Sequence, residues 1–193
     1  MNFIICFMNE EINSYLNEHC RVIENIDKEK IYTISREIIH AYKDNKKVIL
    51  FGNGGSAADA QHFAAEFVGR FEKERKPLPA LALNCNTSSV TAIGNDYGYK
   101  HVFERQIEAF AEKGDVVISL STSGNSENVI LGIMKAQEKG CVVTGITGKD
   151  GGKMKEHVDE KYLIKINSTI TSHIQEATIT VLHIIAKTVE NEL

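Results

Sequence analysis

The chain has 193 residues, enough for one domain with a core of its own. Its 22 basic and 26 acidic residues leave a net charge of −4, so there is no basic footprint for nucleic acid or an anionic membrane surface. No apolar run reaches the ~18 residues of a membrane span, and the four scattered cysteines (Cys6, Cys20, Cys85, Cys141), with no C-x-x-C spacing, suit a reducing cytoplasm.

Met1 to Phe7 is apolar but lacks the basic segment and length of a signal peptide; the helical pattern begins at Met8, so Met1 and Met8 both remain open as the start. Residues 8–45 predict two helices, with Ile12, Tyr15 and Leu16 and then Ile31, Ile34, Ile38 and Ile39 at helical spacing. A strand is expected at Val48 to Phe51, then a glycine loop and a helix from Ser56 to Phe71. Past the polar linker with Pro77 and Pro79 come a strand near 80–83, helices at 88–94 and 101–112, and a strand at 116–120. Helix 126–139, strand 141–146, a short helix at 150–157, strand 161–166 and a helix from Thr171 to the end complete the chain. Alternating apolar strands and helices predict a single doubly wound α/β domain, a parallel sheet covered on both faces, preceded by a helical hairpin. The last helix carries Ile174, Ala177, Ile179, Val181, Leu182, Ile184, Ile185, Ala186 and Val189, apolar on nearly every side, which points to burial against another subunit.

Three stretches carry chemistry. Ser121-Thr-Ser-Gly-Asn-Ser126 breaks a strand into hydroxyls just before a helix, where N–H groups and the helix dipole favour an anion. It has no lysine and does not fit the nucleotide-binding P-loop, so a single small phosphate ester is the better cargo; the plain alternative is a turn with a serine N-cap. Gly52-Asn-Gly-Gly-Ser-Ala57 reads as G-x-G-x-x-A, but the next strand ends Leu83-Asn-Cys-Asn-Thr87 without the carboxylate a dinucleotide ribose needs. What is left is a close-approach turn whose backbone and Ser56 line a polar pocket. His62 and Glu66, four residues apart on the following helix, share one face that its apolar neighbours would partly bury. Asn95-Asp96 reads as a polar turn, and His183, alone on an apolar helix, reads as a satisfied core histidine.

Taken together, GNGGSAADAQHFAAE at 52–66, AIGNDYG at 92–98, STSGNS at 121–126, TGKDGGK at 147–153 and IQE at 174–176 resemble the sugar isomerase (SIS) domain family. A histidine eight residues after Gln175 narrows the resemblance, which spans nearly the whole chain, to the phosphoheptose isomerases. It implies a flavodoxin-like three-layer sandwich, with residues 1–45 as a helical hairpin in oligomer contacts and 46–193 as the phosphosugar-binding domain. The implied reaction converts sedoheptulose 7-phosphate to D-glycero-D-manno-heptose 7-phosphate through an enediol, the first step of nucleotide-activated heptose biosynthesis for lipopolysaccharide, capsule or another glycan. In family terms Ser121, Thr122, Ser123 and Ser126 hold the phosphate. Asn53, Gly54, Gly55, Ser56, Asn95 and Asp96, with Glu66 and Gln175, line the sugar. Glu66 and His183 are the acid–base pair, and His62, Glu66, Gln175 and His183 bind one zinc per subunit of a homotetramer.

Ketose–aldose exchange needs a base at carbon and an acid near the oxygens, roles that a carboxylate in an apolar setting and an imidazole can fill near neutral pH. A glutamate bound to zinc is a poorer base, so Glu66 is not expected to be ligand and base at once; zinc would instead polarise the carbonyl or support the site. Gln175 and His183 lie ~12 Å apart along a helix, too far for one ion, so a site holding both draws on two subunits. The chain departs from the family where Asp or Ala followed by Arg gives way to Ser172-His173, and where a usual histidine is Thr178. Two other readings remain. One is a non-catalytic SIS regulator of the kind that binds the replication initiator DnaA, which lacks equivalents of Glu66 and His183. The other is an isomerase of a different phosphosugar.

Overall fold

Two helices, α1 (Asn2–Glu24) and α2 (Lys28–Lys43), precede the first strand. The computed structural model describes residues 2–193, with side chains from residue 9 onward; the choice between Met1 and Met8 and the side chain of Cys6 lie outside the described residues. Helix α1 starts at Asn2, six residues earlier than the apolar spacing suggested. Asp27 separates the helices as an N-cap, its carboxylate accepting the Lys30 N–H at 3.1 Å.

Five strands follow: β1 (Val48–Gly52), β2 (Ala80–Ala82), β3 (Val116–Ser121), β4 (Val142–Gly148) and β5 (Leu163–Ile166). All pairings are parallel, in the order β2-β1-β3-β4-β5. This is the flavodoxin-like arrangement expected from the alternating pattern. The helices between and after them are α3 (Gly55–Val68), α4 (Thr87–Tyr97), α5 (Val102–Phe110), α6 (Glu127–Glu138), α7 (Met154–His157) and α8 (Thr171–Glu192).

Because successive strand residues point to opposite faces, β1 divides its side chains between two cores. Val48 and Leu50 join Val116, Ile118 and Leu120 under α2, α3 and α8, while Ile49 and Phe51 join Val117 and Val143 under α5 and α6. Every residue of β1 and β3 is buried, which is why both strands read as unbroken apolar runs.

Three local expectations change. Asn95 and Asp96 are not in a loop turn but in the last turn of α4, a helix that Asn86 caps by accepting the Ser89 N–H at 3.0 Å and that stops at Gly98, with φ +89°. Helix α3 ends at Val68 rather than Phe71, because an arginine takes its terminal carbonyls (below). Helix α8 buries Ile174, Ala177, Val181, Leu182, Ile185, Ala186 and Val189 within its own chain, leaving Ile184 43% exposed. Among the described residues no helix is long and apolar enough to cross a membrane.

Candidate active site

In a doubly wound sheet, ligands bind beyond the carboxyl ends of adjacent strands whose connections leave in opposite directions. Here those strands are β1 and β3. Their register pairs Gly52 with Leu120, so the loops at 52–55 and 121–126 emerge side by side. Gly52 is required for the fit: a Cβ there would lie 2.7 Å from Ser56 Cβ and 2.9 Å from the Leu120 carbonyl oxygen.

The 121–126 loop has the features of an anion cradle. Ser126 is the N-cap of α6 yet makes no capping hydrogen bond, so the first N–H groups of the helix remain available. Ser121 Oγ lies 3.3 Å from Ser126 Oγ and accepts the Gly124 N–H at 3.2 Å, and Ser123 Oγ accepts the Asn125 N–H at 3.2 Å. Thr122 is half-buried beside them, its carbonyl accepting the Gly148 N–H at 3.2 Å. The TGKDGGK segment and the first residue of α7 strap this loop. Met154 N–H donates to the Gly124 carbonyl at 2.9 Å and Lys153 N–H to Asn125 Oδ1 at 3.0 Å. Thr147 Oγ1 is buried without a hydrogen-bond partner among the described residues.

On the β1 side, Gly54 adopts φ +56°, a conformation that favours glycine. Asn53 forms a reciprocal amide pair with Asn128 of α6, each bond 2.9 Å, and accepts the Tyr99 hydroxyl at 3.0 Å. Asn53 thus ties the 52–55 loop to the first turn of α6 and to the 99–101 turn. Asn128 and Tyr99 carry no motif signal, since their partnership exists only once α6 and the 99–101 turn fold over β1. Asn95 and Asp96 are exposed and bonded to each other at 2.7 Å.

Helices α3 and α8 supply the second cluster. His62 Nε2 lies 2.9 Å from His183 Nε2 and 3.2 Å from Glu66 Oε1. Glu66 is 20% exposed and His62 51% exposed, so the expected partial burial is deeper for the carboxylate than for the histidine. One donor atom from each of His62, Glu66 and His183 lies within 4.8 Å of the others. Two imidazole nitrogens and a carboxylate oxygen form a donor set compatible with a divalent metal ion.

The glutamine joins the site elsewhere. A Cβ on Gly55 would run into the Gln175 amide, so Gln175 lies over the first turn of α3. His62 is seven residues, ~10 Å, farther along that helix. The structure therefore unites His62, Glu66 and His183 and leaves Gln175 of the same chain apart. Between them on the same face of α3 lies Asp59. Its Oδ2 is buried without a partner among the described residues, and burial pushes its carboxyl up to about 6 against the opposing pull of His62. A lone aspartate one turn before a histidine carries no sequence signal of this kind.

At the positions that depart from the family pattern, His173 is 1% exposed, packed edge-on against Tyr15 with ring centroids 4.3 Å apart. Thr178 donates its hydroxyl to the Ile174 carbonyl at 2.8 Å, an internal helix contact.

The SIS domain family profile matches residues 13–148. A phosphoheptose isomerase of Geobacter metallireducens is 49% identical over 189 residues, covering 96% of this chain and 99% of the relative. A probable phosphoheptose isomerase of Thermoplasma acidophilum is 51% identical over 182 residues, covering 94% and 99%. The solved structure of phosphoheptose isomerase from Neisseria gonorrhoeae superposes with a TM-score of 0.89 at 37% identity, covering 95% of this chain and 99% of the other.

Proposed function

We propose, for a chain that belongs to the SIS domain family and within it to the phosphoheptose isomerases, that it converts sedoheptulose 7-phosphate to D-glycero-D-manno-heptose 7-phosphate, the opening step of activated-heptose synthesis. The observation that carries this reading is the meeting of Glu66 and His183, from α3 and α8, in one cluster within a chain that also presents a hydroxyl-lined anion cradle.

Ser121, Thr122, Ser123 and Ser126, with the N-terminus of α6, hold the phosphate. Asn53, Gly54, Gly55, Ser56, Asn95, Asp96 and Gln175 line the sugar. Glu66 takes a proton from C1 of the ketose while His183 protonates the carbonyl oxygen at C2, forming the 1,2-enediol. Return of the proton to C2, with loss of the O1 proton, gives the aldose. Placing a carboxylate and an imidazole on two packed helices sets them in advance of substrate, so their orientation costs little at the moment of reaction.

His62, Glu66 and His183 would hold zinc, which would supply a positive charge next to the substrate oxygens, so that for Glu66 and His183 the ligand role and the proton-transfer role are alternative uses of the same atoms. Gln175 completes that set only from another subunit, because in its own chain it lies at the far end of α3. The exposed apolar side chains of Ile12, Tyr15 and Leu16 on α1 and Ile184 on α8 support such an assembly, which we take as a homotetramer with sites at subunit interfaces. The cysteine pattern supports a cytoplasmic setting.

The test is conversion of sedoheptulose 7-phosphate by the purified protein, with Glu66→Gln and His183→Ala beside it. Each variant is expected to lose a factor of about 10²–10⁴ in kcat. Full activity in either would refute its assigned role, and an inactive wild type that binds a protein partner tightly would favour the regulator reading.

A further inference from the structure

A buried carboxylate outside this site joins the two helices that build it. Glu190 lies two turns beyond His183 on α8, and its side chain is 2% exposed. Its Oε1 accepts the Phe71 N–H at 3.1 Å, and its Oε2 accepts the N–H groups of Glu72 at 2.8 Å and Lys73 at 2.9 Å. Arg75 Nε lies 3.3 Å from Oε1. The far end of the same guanidinium donates to the Glu66 carbonyl at 2.7 Å and the Phe67 carbonyl at 2.9 Å. These are carbonyls of the last turn of α3, which have no partner inside the helix.

The loop pinned in this way carries Phe71, whose ring stacks on the His183 imidazole with centroids 5.6 Å apart and planes 30° apart. A histidine ring turns easily about its outer torsion, and a flat neighbour restricts it. Burial by itself would raise the Glu190 carboxyl, but the three backbone N–H groups and Arg75 outweigh it and hold the group below the ordinary carboxylate range. A surface loop needs no buried charge to stay in place. Lys187 and Glu72 already join the same two segments by an exposed ion pair at 3.0 Å.

We propose that Glu190 is a positioning residue for the His62–Glu66–His183 site. It keeps Phe71 against His183 and, through Arg75, fixes the end of α3 that carries Glu66. The kinetic part of this proposal rests on the isomerase reading; the geometric part does not.

The test compares Glu190→Gln and Phe71→Leu with Lys187→Ala as the control. The first readout is the His183 Cε1–H proton resonance of the metal-free protein, identified by its absence in His183→Ala and sensitive to the ring current of Phe71. The second is steady-state isomerisation. Glu190→Gln and Phe71→Leu are expected to move the resonance in the same direction and to lower kcat about 10- to 100-fold, with KM within about threefold. Lys187→Ala should change neither. A Glu190→Gln protein with the wild-type resonance and rate would overturn the proposal, as would equal losses in Lys187→Ala. If the wild type does not isomerise, the resonance alone decides. If Glu190→Gln does not fold, Phe71→Leu carries the resonance and Arg75→Lys the kinetics, since the latter keeps the three backbone bonds to Glu190 and loses only the hold on the end of α3. A wild-type resonance in Phe71→Leu or a wild-type rate in Arg75→Lys would then overturn the proposal.

Discussion

His62 Nε2 and His183 Nε2 stand 2.9 Å apart although 121 positions separate them in the chain. Their rings meet edge to face, with centroids 5.1 Å apart and planes 65° apart, so each nitrogen is directed toward the space the other faces. Two nitrogens this close share a proton or share a cation. The Glu66 carboxylate, 3.2 Å from His62, adds an anionic oxygen to the same space.

The proposed zinc has a direct test at that donor set. The protein stripped with a chelator is expected to take up one zinc per chain, followed by competition with a chromophoric chelator. Removal of a direct ligand in His62→Ala or His183→Ala should weaken uptake more than the about 10- to 100-fold typical of losing an outer partner. Unchanged zinc affinity in both variants would remove the metal from this cluster.

Gly55→Ala tests the placement of Gln175. The new methyl group meets the amide at the end of a flexible side chain, so the fold tolerates it and the glutamine moves. Loss of stability is expected to stay within about 1 kcal/mol, while kcat/KM falls at least about tenfold through displacement of a sugar contact. A large drop in melting temperature would show that the space around Gly55 is structural.

Gly124→Ala should act differently. Gly124 has φ +65°, and a Cβ there runs into the Gly151 carbonyl, a backbone atom that cannot swing aside. The strap between the 121–126 and 148–153 loops must then open. We expect a stability loss of about 1–3 kcal/mol and a rise in KM for the phosphosugar. Thermal melting and steady-state kinetics check both parts, and an unperturbed KM would separate this loop from the phosphate.

Cys141 is expected to be inert at neutral pH. Burial, reinforced by Asp115, pushes its thiol up to about 11. The thiolate is the reactive form, so at pH 8 alkylation should run roughly two orders of magnitude slower than at an ordinary thiol of pKa about 8.5. The rate should rise tenfold per pH unit up to about 11. Mass spectrometry after a timed iodoacetamide pulse should show the exposed Cys20 and Cys85 labelled first.

Much of the fold was legible because its signals are local. The VILF run of β1 and the apolar spacing of α2 follow from which faces those elements bury, and neighbours a few residues away record that. Asn95 and Asp96 misled for the converse reason. Polar residues beside glycine read as a turn, but the Asn86 cap twelve residues upstream of Gly98 had already committed the segment to helix. The site was legible unevenly. The hydroxyl loop and the His62–Glu66 spacing declare themselves on single elements, while the role of His183 entered only through family resemblance. Asn128, Tyr99, Asp59 and the Glu190–Arg75 clamp had no signal, since each acquires its meaning from a partner far along the chain.

Composition, periodicity and motif spacing by themselves determined a doubly wound α/β chain with a hydroxyl-rich loop after one strand and a His–Glu face on the helix after another. Only the tertiary structure decided that His183 reaches that face while Gln175 stops at Gly55. The outcome depends on how α8 lies along α3, and that is set by Ile174, Val181, Leu182 and Ile185 packing into a shared core with Phe63 and Phe67. Interhelical distances of this kind arise from the fit of side chains distant in sequence, so no single stretch of the chain encodes them.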